Sequence, residues 1–153
     1  MAACDEAATE VIWREEVRPE WIDYNGHLSE PYYVLVFGHA TDAVMEEIGL
    51  GEEARALHST SLFTVEAHVR YLDQVSEGES LEVRSSLVGA GPKKLHLWHE
   101  MWAGGRLRAT EEILGLHVDT VEGRTTPFPE GVAARISALL TEPPEHSGRS
   151  IVV

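Results

Sequence analysis

The pattern of apolar and polar positions changes period along the chain. Across residues 29–48, Tyr33, Val36, Phe37, Ala40, Val44 and Ile48 recur at intervals of three and four, which predicts a helix. Ser29 is suited to its N-cap, Pro31 is tolerated in its first turn, and Gly49 and Gly51 stop it. The run Tyr32 to Phe37 is apolar around the whole circumference, so this helix is expected to be enclosed. Further on the period drops to two: Phe63, Val65, Ala67, Val69 and Tyr71 alternate with Thr64, Glu66, His68 and Arg70, as in a half-buried strand. Ser80 to Val88, Lys94 to Ala103 and Arg106 to Asp119 follow, broken at GAGPKK and AGG, and read as antiparallel strands joined by hairpins. Residues 10–18 read as an opening strand, and PEGVAARISALL from Pro129 as a short amphipathic helix. The expected architecture is α+β, with one antiparallel sheet of about five strands wrapped around a long central helix. Residues 10–141 are expected to form a single domain, between a flexible N-terminus (1–9) and a tail (142–153) whose EPPEHSGRS run has a loose composition.

Composition narrows the function classes. A chain of 153 residues is one domain long and buries about 70% of its unfolded surface. With 26 acidic against 12 basic residues the net charge is −14, which argues against a nucleic-acid partner. Lys93, Lys94, Arg106 and Arg108 are nevertheless close in sequence and form a candidate cationic rim for a phosphorylated small molecule, against the plainer reading of a solvated hairpin end. The lone Cys4 excludes a disulfide framework and favours a reducing, cytoplasmic location. The opening MAACDEAATE has neither a basic n-region nor an apolar h-region and no run of eighteen apolar residues occurs, so neither export nor a membrane span is expected. Eight histidines show no H-x-H or H-E-x-x-H spacing, and His96 and His99 fall on opposite faces of a strand, so no metal site is expected.

The chemistry-bearing segment is WIDYNGHL, residues 21–28. Asp23, Asn25 and His27 stand at alternate positions in the turn that feeds the long helix, and Gly26 frees the backbone there. The N-terminus of a helix stabilises a carboxylate, and equally an oxyanion forming on a substrate carbonyl. Carboxylate and oxyanion donors together point to acyl transfer to water, with Asn25 to orient a carbonyl or a water and His27 to position the carboxylate or move a proton. Turn and cap hydrogen bonding is the structural alternative for the same residues. Glu66, His68 and Arg70 share one strand face, which is expected to be wet, at an interface or functional.

Asp23-Tyr24-Asn25-Gly26-His27-Leu28, Tyr33 within an apolar helix, and the VEAHVRYL strand at 65–72 resemble the hotdog-fold thioesterases of the 4-hydroxybenzoyl-CoA thioesterase type. The WIDYNGHL run with Tyr32-Tyr33 after it, and His96-Leu97-Trp98-His99-Glu100-Met101, are similar to the branch of that family linked to carnitine breakdown, the betainyl-CoA thioesterases. The resemblance implies an acyl-CoA thioesterase with Asp23 as nucleophile or general base. The D-x-N-x-H pattern is also similar to that of plant acyl-carrier-protein thioesterases, which implies roles for Asn25 and His27 and a further carboxylate on the next strand, for which Glu66 is the candidate. Gly26, Leu28, Tyr33, His68, Lys93 and Lys94 are the candidate substrate-binding residues. The resemblance further implies no cofactor beyond coenzyme A as part of the substrate, and a homodimer with active sites at its interface, or a tetramer of such dimers. If the acyl group were a betaine, its quaternary ammonium would seek aromatic faces, with Trp13, Trp21, Trp98 and Trp102 as candidates. Dehydration of a 3-hydroxyacyl thioester and non-catalytic binding of acyl thioesters are the alternatives within the fold.

Overall fold

A computed structural model describes residues 8–148; Cys4 and parts of both expected flexible ends lie outside the described residues. The first strand is β1 (Val11–Glu16), a single 3-10 turn occupies Pro19–Trp21, and helix α1 runs from Glu30 to Glu47. The three- and four-residue spacing of α1 is satisfied by burial: Val36, Phe37, Ala40 and Val44 are fully buried, and each of the larger three contributes about 2 kcal/mol. Ser29 stands at the N-cap in an extended conformation, but its side chain makes no capping hydrogen bond. At the other end Gly49 takes φ +89°, and the Gly49 and Leu50 amides bond back to Glu46 and Met45. That is the Schellman arrangement, and it needs the glycine.

A second helix, α2 (Glu52–His58), was not legible in the pattern because none of its residues is buried. Four long strands follow: β2 (Thr60–Tyr71), β3 (Ser80–Ala90), β4 (Lys94–Ala103) and β5 (Arg106–Asp119). A two-residue β6 (Arg124–Thr125) and helix α3 (Glu130–Leu139) complete the described chain. The sheet is antiparallel in the order β1-β3-β4-β5-β2, with β6 paired to β5. This is the expected architecture, with five strands curled over α1, which packs chiefly on β1, β3, β4 and β5; the helix is not enclosed as expected, because the sheet covers one side only and Val34 and Leu35 of the all-round apolar run stay exposed. Strand β2 is left at an edge of the sheet. Among the described residues no helix is long and apolar enough to cross a membrane.

The reading of β2 needs one correction. A bulge at Val65 shifts the register between Thr64 and Glu66, so the alternation does not run unbroken from Phe63 to Tyr71. Ahead of the bulge Leu62 is the core residue and Phe63 is exposed; beyond it Ala67, Val69 and Tyr71 turn toward the helix side, opposite Ile113, Glu111 and Ala109. Leu62 lies over Gly115, where an added Cβ would come within 2.8 Å of its side chain.

Candidate active site

The DYNGH segment is a closed turn. Asp23 N–H donates to the His27 carbonyl at 2.8 Å, Gly26 N–H to the Asp23 carbonyl at 3.0 Å, and Ile22 and Leu28 form an antiparallel bridge. Gly26 has φ +79°, a conformation that makes glycine the fitting residue. The Asp23 carboxylate closes the turn: its Oδ1 accepts from the Asn25 amide at 2.8 Å and from the His27 amide at 3.3 Å. The capping reading of Asp23 therefore describes one of its oxygens. Among the described residues Oδ2 accepts no hydrogen bond, and the side chain borders a cleft of about 380 Å³ lined by Leu28, Glu30, Tyr33, Tyr71, Asp73 and Gln74 among others.

Leu28 is tied down by the hydrogen bond its N–H donates to the Val75 carbonyl and aims the chain into α1, so Glu30 and Tyr33 of the first helical turn form one wall. Burial raises the pKa of Tyr33, against the pull of a hydrogen bond to the Val75 backbone. Tyr71, at the end of β2, forms the facing wall with its ring 5.2 Å from that of Tyr33 at 85°. Desolvation leads the causes that raise the Tyr71 pKa, followed by the nearby Glu30 and Glu111. Arg106 holds Asp73 through a 3.0 Å ion pair, which brings one exposed guanidinium to the cleft.

The structure thus brings Asp23, Leu28 and Tyr33 together with the helix N-terminus, and Gly26 shapes the turn. Asn25 is exposed at the tip, and neither its side chain nor that of His27 lines the cleft. Glu66 and His68 are on the other face of the sheet, with His96 and Glu112, around a second cavity of about 280 Å³. There Glu112 is held by His96 at 2.8 Å and the Gly148 amide at 2.9 Å, with His68 at 3.6 Å. Within one chain Glu66 is separated from the Asp23 cleft by the sheet and by about 17 Å of strand between it and Tyr71.

The cationic rim read from sequence is divided. Lys93 and Lys94 are exposed at the β3–β4 hairpin, whereas Arg106 and Arg108 belong to the β4–β5 hairpin, about 30 Å away along β4. Arg108 is buried and committed elsewhere: it bonds Glu79 at 2.8 Å, the Ala103 carbonyl at 3.1 Å and the Gln74 carbonyl. It anchors the segment after β2 rather than a ligand. None of the four tryptophans lines the cleft. Trp13 packs beside His39, Trp21 stacks on Tyr32, and Trp98 and Trp102 both donate to Glu100 on the outer face. Among the described residues no group of three or more His, Cys, Asp or Glu could hold a metal ion.

Sequence reasoning missed Tyr71, Asp73 and Gln74 as cleft residues, and Glu111 behind Tyr71. The adjacent pair Glu111-Glu112 carried a signal: neighbours in a strand point to opposite faces, so one carboxyl of any such pair must turn toward the core.

Comparison with known proteins identifies the family. The thioesterase-like superfamily profile matches residues 17–136. The chain is 45% identical over 125 residues to the betainyl-CoA thioesterase of Pseudomonas aeruginosa, covering 80% of this chain and 79% of that protein. A putative thioesterase of Pseudomonas putida superposes with a TM-score of 0.79 at 34% identity, over 92% of this chain and 94% of that one. A Staphylococcus aureus hypothetical protein solved in complex with CoA superposes with a TM-score of 0.87 at 26% identity, over 94% and 95% of the two chains. The profile match over most of the chain, the 45% identical thioesterase and this sheet curled over one long helix make the chain a hotdog-fold member of the thioesterase-like superfamily and a thioester hydrolase.

Proposed function

We propose that the chain hydrolyses an acyl-CoA thioester at the Asp23 cleft, with a betaine or another small acyl group as the acyl part. The observation that carries this reading is the Asp23 carboxylate beside a helix N-terminus that no side chain caps. A thioester carbonyl seated there meets a carboxylate oxygen on one side and the positive end of α1 on the other. Either Asp23 attacks the carbonyl carbon and water later opens the anhydride, or Asp23 takes a proton from a water that attacks directly. In both routes the C–S bond breaks, sulfur leaves as the coenzyme A thiolate and one water is consumed; the oxygen gained by the acyl carbon comes from water in the direct route, and from water or from Asp23 according to which anhydride carbon the water attacks. The good leaving group reduces the enzyme's task to orienting the carbonyl and stabilising its oxyanion. The acyl-CoA class is supported by the relative named betainyl-CoA thioesterase and by the CoA complex of a similar structure.

The test is release of free thiol from a panel of betainyl-, short-chain, aromatic and long-chain acyl-CoAs. The proposal expects turnover of at least one, with betainyl-CoA among the fastest. Hydration of enoyl-CoA without thiol release would replace it with the dehydratase reading, and tight binding without turnover with the binding-domain reading.

The active form we propose is a homodimer joined along β2. Among the described residues the outer edge of that strand is unpaired, Phe63 and Val65 are exposed on it, and Tyr71 at its end borders the cleft. A partner laid along β2 would cover these side chains and complete the site, in which Asn25, His27, Glu66, His68, Lys93 and Lys94 keep their candidate roles. Val65→Lys is then expected to give a monomer by light scattering and to lose activity with it; a variant that stays dimeric and active contradicts this arrangement.

A further inference from the structure

Among the described residues, one carboxyl group on the helix-facing side of the sheet has no hydrogen-bond or ion-pair partner. Glu112 turns outward to His68 and His96, so its neighbour Glu111 turns inward, opposite Val69 on β2 and His99 on β4. Glu111 is 4% exposed, and among the described residues its carboxyl makes no hydrogen bond or ion pair. Among the described residues, the side-chain atom that is both unpartnered and closed off from solvent is His117 Nε2, at the far end of β5, so the Glu111 oxygens are not fully sealed from solvent. Burial without a partner raises its pKa to about 7. A leucine or methionine would fill this position without the cost of desolvating a carboxyl, which leaves packing with no reason to require glutamate.

Tyr71 connects this position to the cleft. Tyr71 follows Val69 by two residues on the same face of β2, and its ring meets Tyr33, which lines the cleft with Asp23. Electrostatically Tyr71 feels both Glu111 and Glu30. The nearby cation felt by Tyr33 is Arg108, already bound to Glu79. His99, the titratable group facing Glu111 from β4, stays neutral at its depressed pKa of about 3. On the α1 side, Val34 is exposed, and a Cβ added at Gly38 would meet nothing within 4 Å, so that flank of the helix is uncovered. Two aromatic rings, one buried and one half-exposed, and a buried carboxyl without a hydrogen bond therefore follow Asp23 along this side of the sheet.

We infer that Glu111, with Tyr33 and Tyr71, forms the subsite for the far end of the acyl group and selects acyl groups that carry a fixed positive charge, the quaternary ammonium class. This inference rests on the proposal that thioesters are cleaved at the Asp23 cleft. A quaternary ammonium has no proton to donate, so its recognition relies on aromatic faces and an unpaired anion, both strengthened where water is excluded. Its charge in turn favours the ionised form of Glu111 at neutral pH.

The test compares betainyl-CoA with its neutral isostere 3,3-dimethylbutanoyl-CoA, in which carbon replaces nitrogen, using wild type, Glu111→Gln, Tyr71→Leu and Asp23→Asn. Glu111→Gln is expected to lose about 30-fold or more in kcat/KM on the cationic ester, mostly through KM, and less than about threefold on the neutral one. Tyr71→Leu, at a half-exposed position where folding is not at stake, is expected to lose about fivefold of the same preference. Equal losses on both esters in either variant, or an unchanged preference, overturn the subsite. Asp23→Asn is expected to slow both esters alike, and a wild type that cleaves neither ester overturns the thioesterase proposal and the subsite with it. Cleavage of both with no effect of Glu111→Gln on their ratio overturns the subsite alone.

Discussion

In a Glu111→Gln background, unfolding free energy is expected to fall by about 5 kcal/mol as pH drops from 6.5 to 3, because of one buried histidine. His99 is fully buried on the inner face of β4, stacked on Phe37. Thr41 donates its hydroxyl proton to the Phe37 carbonyl, so its oxygen accepts from His99 Nε2–H at 3.0 Å. Nδ1 is then the bare nitrogen and accepts the Ser85 hydroxyl at 2.6 Å. Both ring nitrogens are satisfied in the neutral form, and burial lowers the pKa from 6.5 to about 3. Between those values the unfolded chain binds a proton that the folded chain refuses, so stability drops as pH falls. Glu111, across the β4–β5 ladder, acts in the opposite sense. Its pKa is raised from 4.5 to about 7, so the folded chain keeps a proton that the unfolded chain has lost, and stability falls by about 3 kcal/mol as pH rises through that window. In wild type the two slopes cancel between pH 4.5 and 6.5. Urea unfolding across pH 4.5–6.5 should give a flat wild type from these two groups, a Glu111→Gln curve that falls toward acid, and a His99→Gln curve that falls toward neutral pH. Three parallel curves would contradict the assignment.

The fold was legible wherever one face of an element is buried and the other is not. The Tyr33-Val36-Phe37-Ala40-Val44 spacing marks α1 because each of those residues meets the sheet, and the glycine breaks mark the β3–β4 and β4–β5 hairpins. Helix α2 escaped because it buries nothing. The bulge at Val65 escaped because both Leu62 and Phe63 are apolar, and only the pairing of β2 with β5 decides which of them faces inward.

The site was legible to the extent that it is local. Asp23, Gly26, Leu28 and Tyr33 lie within eleven residues of one another, and their placement follows from a turn running into a helix. Tyr71 and Glu111 come from strands far along the chain, and no local pattern announces that they meet Tyr33. Lys93, Lys94, Arg106 and Arg108 were misread as one cluster because proximity in sequence means opposite ends of a strand when β4 lies between them. The Trp98-His99-Glu100-Met101 run alternates faces, so His99 joins the core while Trp98 and Glu100 bond each other outside.

The largest effect on activity is expected at Asp23. Asparagine keeps an oxygen that accepts from the Asn25 and His27 amides, so Asp23→Asn preserves the turn and the opening of the cleft. It removes the negative charge and the basicity that either hydrolytic route requires, which is worth about 10³–10⁴-fold in kcat. Binding of the coenzyme A moiety does not pass through this carboxylate, so KM should move by less than about threefold. The decisive measurement is the rate of coenzyme A thiol release from betainyl-CoA by wild type and Asp23→Asn at saturating substrate. The proposal predicts rapid release by wild type and a fall of about 10³-fold or more in a folded Asp23→Asn; an unchanged rate in that variant would contradict it.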